Sequence, residues 1–97
     1  MNLKLSDFEM MKTTAPNGVQ VVLSFGDKYD LSIVQNEMSY GNKQGLYEIA
    51  VFEDVNQVEL PGITNEGDTV KGWLTEKDVD TIIKKMYTIT METPVQV

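Results

Sequence analysis

The hydrophobic pattern of this chain changes period once, and that change restricts the folds open to it. Through the first half, apolar residues alternate with polar ones, the period-two signature of strands with one covered face. Near residue 75 the apolar spacing turns to three and four, the signature of an amphipathic helix. Strands followed by a helix give an α+β architecture. The expectation is an antiparallel sheet of roughly four strands with one C-terminal helix packed on one face.

The individual elements follow from local signals. Val19, Val21, Leu23 and Phe25 share one strand face, after a Pro16-Asn17-Gly18 turn in which proline presets φ and Asn-Gly tolerates a positive φ. Residues 3–13 form a weaker strand candidate ahead of that turn. Gly26-Asp27-Lys28 joins Phe25 to a second alternating run, Tyr29, Leu31 and Ile33. Residues 39–45 hold two glycines and no period, so they read as a loop. Residues 46–53 carry Tyr47, Ile49 and Val51 on one face and Leu46, Ala50 and Phe52 on the other, which suits a central strand. Residues 54–69 are acidic and turn-rich, with a short strand near 58–60 or 70–73.

Thr75 opens the helix. Its hydroxyl is placed to accept the amide of Asp78, and Glu76 and Asp78 favour the positive end of the helix dipole. Val79, Ile82, Ile83 and Met86 form the apolar stripe, and Lys84 and Lys85 are expected in the last turn. Residues 87–91 alternate again and read as a short extended segment. The chain is expected to be one domain over residues 1–91, with 92–97 a loosely held tail.

Composition narrows function. The 97 residues include no histidine, cysteine or arginine, which removes the usual acid–base side chain, the best nucleophile and the bidentate phosphate clamp. Fifteen carboxylates face eight lysines, for a net charge of −7. Such a chain repels phosphates and anionic lipid heads, so neither direct nucleic-acid binding nor membrane binding is expected. No apolar run approaches the ~20 residues that span a bilayer. Asp7 precedes any apolar stretch, so no secretory signal is expected and the cytoplasm is the expected location.

Carboxylates are the one abundant functional group. Glu76 and Asp80 are i, i+4 neighbours on the helix, where a solvated face is the plain reading. Glu53, Asp54, Glu66 and Asp68 share the turn-rich stretch. The spacing from Asp54 fails the helix–loop–helix calcium pattern, which needs glycine at its sixth position, where Glu59 stands. Serines lack a histidine base, and the Gly41–Gly45 loop leads into a strand rather than a phosphate-binding helix. No catalytic residue, metal or cofactor is therefore expected. Trp73, two residues before the Thr75 cap, reads as a staple between helix and sheet, with an exposed binding anchor as the alternative. Tyr40, in the glycine-containing loop, reads as exposed and partner-facing. The expected partner-binding set is Tyr40, Glu53, Asp54, Glu59, Glu66, Asp68, Glu76 and Asp80.

Two runs carry a resemblance to a known group. Residues 40–51, from Tyr40-Gly41 through Leu46-Tyr47-Glu48-Ile49-Ala50-Val51, and the run Gly72-Trp73-Leu74-Thr75-Glu76-Lys77-Asp78-Val79 are similar to small uncharacterised proteins of tailed bacteriophages. The likeness spans roughly residues 38–86 and brings no catalytic residues. It implies a phage protein acting inside a bacterial cell. The missing catalytic side chains, the net acidity and the small scaffold add the expectation of a non-enzymatic protein that binds a bacterial host or phage protein. One route is to cover a basic, nucleic-acid-binding surface with carboxylates. The alternative is a self-associating accessory protein, a homodimer paired through strand edges or an apolar sheet face.

Overall fold

Period-two alternation builds more strands here than it announces. In the computed structural model, which describes residues 1–97, the strands are β1 (Met11–Thr14), β2 (Asn17–Phe25), β3 (Tyr29–Asn36), β4 (Tyr47–Glu53), β5 (Asn56–Val58), β6 (Val70–Leu74) and β7 (Val95–Gln96). One helix, α1 (Glu76–Thr90), separates β6 from β7, and short 3-10 turns lie at Leu5–Asp7 and Asn42–Gln44. The fold is α+β with an antiparallel sheet, but the sheet has seven strands rather than about four. Beyond β1 to β4, the additional strands β5, β6 and β7 are only two to five residues long, so little or no period shows in sequence. Each exists because a longer neighbour offers it an edge.

β1 to β5 run as a meander, and both outer edges are composite. On β2, β1 pairs with residues 17–20 and β7 with Leu23 and Ser24, so two short strands lie end to end. On β4, β5 pairs with residues 51–53 and β6 with residues 47–50. Short, interrupted edges are poor templates for pairing with other chains.

The register places the core. Val21 faces Ile33, which faces Ile49, and Leu23 faces Leu31, which faces Val51. Directly opposed residues share a sheet face, and these six are at most 1% exposed. α1 covers that face with Val79, Ile82, Ile83 and Met86, all buried as the stripe implies. No helix covers the opposite face, where Ser32 is nonetheless buried and accepts the Gln20 side-chain amide. The central row of that face is Val22, Ser32, Ala50 and Val70, flanked by Asp30 and Glu48.

Two ends differ from the sequence reading. The alternating run after Met86 continues α1 to Thr90 instead of turning extended, so Lys84 and Lys85 lie inside the helix. Thr88 and Thr90 fit there because their hydroxyls donate to the carbonyls of Lys84 (3.0 Å) and Met86 (2.8 Å). Met91, in the left-handed region at φ 57°, then ends the helix with its amide on Tyr87 O at 2.7 Å. Residues 92–97, expected to be loose, instead bury Pro94 and supply β7. The Gln96 amide group holds the Glu9 backbone from both sides, its Oε1 accepting the Glu9 N–H at 2.9 Å. Among residues 3–13, expected to form a strand, Leu5–Asp7 make a 3-10 turn and only Met11–Thr13 pair, with Thr14 extending the ladder by one.

The helix start matches its signal. Thr75 Oγ1 accepts the Asp78 amide at 3.1 Å, and Asp78 Oδ2 accepts the Thr75 amide at 3.0 Å. Thr75→Ala should cost about 1 kcal/mol in urea unfolding, and Thr75→Asp should be near neutral because a carboxylate caps as well. Equal losses in both variants would mean that the hydroxyl is not the cap that matters.

Candidate functional site

The site begins with a mismatch in strand register. Tyr47 lies opposite Leu74 and Ile49 opposite Lys71, so two steps along β4 answer three along β6. The additional residue makes a bulge, a device that bends a strand and re-aims a side chain. Trp73 absorbs the distortion at φ 59°, in the left-handed region. A bulky residue there is an outlier, and the conformation costs roughly 1–2 kcal/mol. Leu74 goes into the core at 4% exposed, while Trp73 stands 58% exposed. The stapling role read for Trp73 therefore belongs to Leu74, and Trp73 takes the alternative role of a displayed aromatic.

Tyr40 is brought alongside by the loop between β3 and β4. Ser39, itself buried, ties that loop down, its hydroxyl donating to Asn36 O and accepting from Asn36 N, each at 2.9 Å. Asn42 Nδ2 donates to Ser39 O at 2.6 Å. The Trp73 amide reaches Tyr40 O at 3.4 Å. Two glycines permit the approach. A Cβ at Gly72 would sit 2.6 Å from Tyr40 Cβ, and one at Gly41, where φ is 86°, would sit 3.2 Å from Trp73 Cε3. Tyr40 is 61% exposed, as its loop position suggests. Trp73 lines two grooves. One, of about 230 Å³, runs over the Ser39–Gln44 loop; the other, of about 310 Å³, runs between β6 and α1.

Charges around the pair are shaped by the fold. Burial raises the Glu48 carboxyl above its ordinary 4.5, the Tyr40 amide partly offsets this, and nearby Asp68 adds to the rise. Burial likewise raises the Tyr47 phenol, with the Glu76 charge contributing. Asp78 is lowered by its bonds with Thr75, helped by Lys71 and Lys77. The sign for Glu48 follows from linkage. A carboxyl raised by folding favours the fold most below 4.5, and the benefit is lost as pH rises through the raised value. Glu48→Gln should therefore be more stable than wild type at neutral pH. That advantage should shrink in urea melts taken down to acidic pH; a difference independent of pH would contradict the assignment.

The eight residues expected to meet a partner come from four separate segments. Glu53 and Asp54 end β4 at its turn into β5, where Glu53 is half-buried and Asp54 exposed. Glu59, Glu66 and Asp68 lie in the excursion between β5 and β6. There Glu59 Oε2 accepts the Gly67 amide and Asp68 Oδ1 the Thr69 amide, both at 2.7 Å. Glu76 is exposed at the first position of α1. Asp80 does not belong with a binding surface. It is half-buried and accepts the Leu5 amide at 2.7 Å, tying the N-terminal turn to the helix. No three carboxylates come together in a way that could hold a metal ion. No helix is long and apolar enough to cross a membrane.

The geometry gathers an exposed aromatic pair, Tyr40 and Trp73, with Glu48 near the Tyr40 amide, Asp68 near Glu48, and Glu76 three residues beyond Trp73. Comparison of the chain with protein-family models, curated proteins and solved structures finds no match.

Proposed function

We propose that this chain is a non-enzymatic protein that binds another protein, in a bacterial cytoplasm, and modulates it. The observation that carries the reading is Trp73, strained into the left-handed region yet 58% exposed. Strain of that kind persists where the surrounding structure enforces it, and it concentrates at functional positions. Tryptophan and tyrosine are the residues that dominate binding energy at protein interfaces. Carboxylates at Glu48, Glu66, Asp68 and Glu76 would approach a basic surface, of the kind that holds nucleic acid, and would speed association through steering. The resemblance to tailed-bacteriophage proteins makes a host factor the partner of choice. Self-association ranks second, because face-to-face pairing through the helix-free sheet face would bring the Asp30 and Glu48 carboxylates of two copies together.

The test is capture from bacterial lysate on the immobilised wild-type chain and on Trp73→Ala, at low and moderate salt. A stoichiometric protein partner, weakened by salt and lost in Trp73→Ala, is the expected result. No partner at either salt, or equal retention by the variant, would remove the reading.

A further inference from the structure

The helix side of Trp73 carries a charge pattern opposite to that of the whole molecule. The groove of about 310 Å³ between β6 and α1 is lined by Lys71, Lys85, Thr81 and Asp78, with Leu74 and Ile82 on its apolar side. A second groove of about 330 Å³ continues from it, sharing Thr81 and Lys85 and adding Lys84 and Ile89. Together they form one track along α1, with exposed Trp73 towards one end and Ile89, 48% exposed, towards the other. Three of the eight lysines line this track, against one carboxylate. That carboxylate, Asp78, already accepts the Thr75 amide. Lys85 makes only a long bond to Gly62 O, at 3.4 Å, which leaves most of its ammonium donors free. The hydroxyls of Thr81 and Thr88 donate to backbone carbonyls, so the lysines are the cationic donors available to an anion.

We infer that this track binds a short, extended, acidic peptide segment of the partner, its carboxylates between Lys71, Lys84 and Lys85 and its apolar ends against Trp73 and Ile89. The length is fixed by the helix. From Asp78 to Ile89 the rise is about 16 Å, which about five residues of extended chain span. Short length also separates a peptide from a nucleic acid. A segment confined to the track meets three lysines, whereas a longer polyanion runs on over a surface of net charge −7. The inference shares Trp73 with the proposed function but occupies a different face. It rests on that reading for its partner, and the peptide titration can fail while lysate capture succeeds, so the two failures are distinguishable.

Trp73 is the only tryptophan, so its fluorescence reports directly on the track. The full chain would be titrated with an acetylated, amidated hexapeptide bearing leucine at both ends and alternating aspartate and glutamate between. Its asparagine–glutamine counterpart and a hexathymidylate serve as comparison probes. A saturable change with the acidic peptide is expected, weaker by about tenfold or more for the neutral peptide and for the Lys71→Glu/Lys85→Glu variant. Lys12→Glu/Lys28→Glu, the same charge change at exposed positions off the track, should alter the affinity by less than about twofold. The milder Lys85→Gln variant and a salt titration of the wild type give the same reading if the double variant fails to fold. The inference is overturned by no saturable change, by equal binding of the neutral peptide or the hexathymidylate, or by equal losses in the Lys71/Lys85 and Lys12/Lys28 variants.

Discussion

Ile83→Ala is expected to remove about 2–5 kcal/mol of stability, a large part of the roughly 5–15 kcal/mol typical of a small domain. Ile83 is fully buried on the stripe that holds α1 to the sheet, with Val79 and Met86 on either side along the helix. Truncating it loses the transfer free energy of the removed methyl groups. It also leaves a cavity between a helix and a sheet whose backbones are fixed by their own hydrogen bonds, so the site collapses only in part. The urea midpoint should fall while the slope stays unchanged, since the surface exposed on unfolding is nearly the same. Ile89→Ala is the internal control, because Ile89 is 48% exposed on the same helix. Its cost should stay within about 0.5 kcal/mol. Similar losses for the two would mean that α1 presents a different face to the sheet.

How much of this was legible in the sequence depends on how local each signal is. β2, β3 and β4 were readable because Val19 to Phe25, Tyr29 to Ile33 and Tyr47 to Val51 alternate within one window. The start of α1 was readable because Thr75 and Asp78 cap each other across only three positions. The helix end was not. Thr88, Ile89 and Thr90 look like strand residues, and their helical fit rests on hydroxyl bonds one turn back. β7 was invisible because two residues have no period, and Val95–Gln96 becomes a strand only against Leu23 and Ser24.

The candidate site divides in the same way. Tyr40 was readable as exposed from its loop. Trp73 was not, because its outward aim depends on a one-residue register mismatch between strands some twenty positions apart. Asp80 misled for a similar reason. Its partner is the Leu5 amide, which lies 75 residues away along the chain.

The largest effect on binding is expected at Trp73. A tryptophan at the centre of an interface commonly costs about 2 kcal/mol or more when truncated, roughly a thirtyfold loss of affinity. The fold gains little from this side chain, since Leu74 supplies the buried contact and Trp73 holds a backbone conformation better suited to glycine. The central claim is that this residue is kept for recognition rather than for stability, and Trp73→Gly separates the two roles. Glycine removes the indole and relieves the left-handed strain in one change. The direct measurement is urea unfolding of Trp73→Gly by circular dichroism, alongside its affinity for the captured partner. Stability within about 1 kcal/mol of wild type, or above it, together with loss of binding, is the expected result. Destabilisation by more than about 2 kcal/mol with binding intact would make Trp73 a structural staple after all, and would contradict the claim.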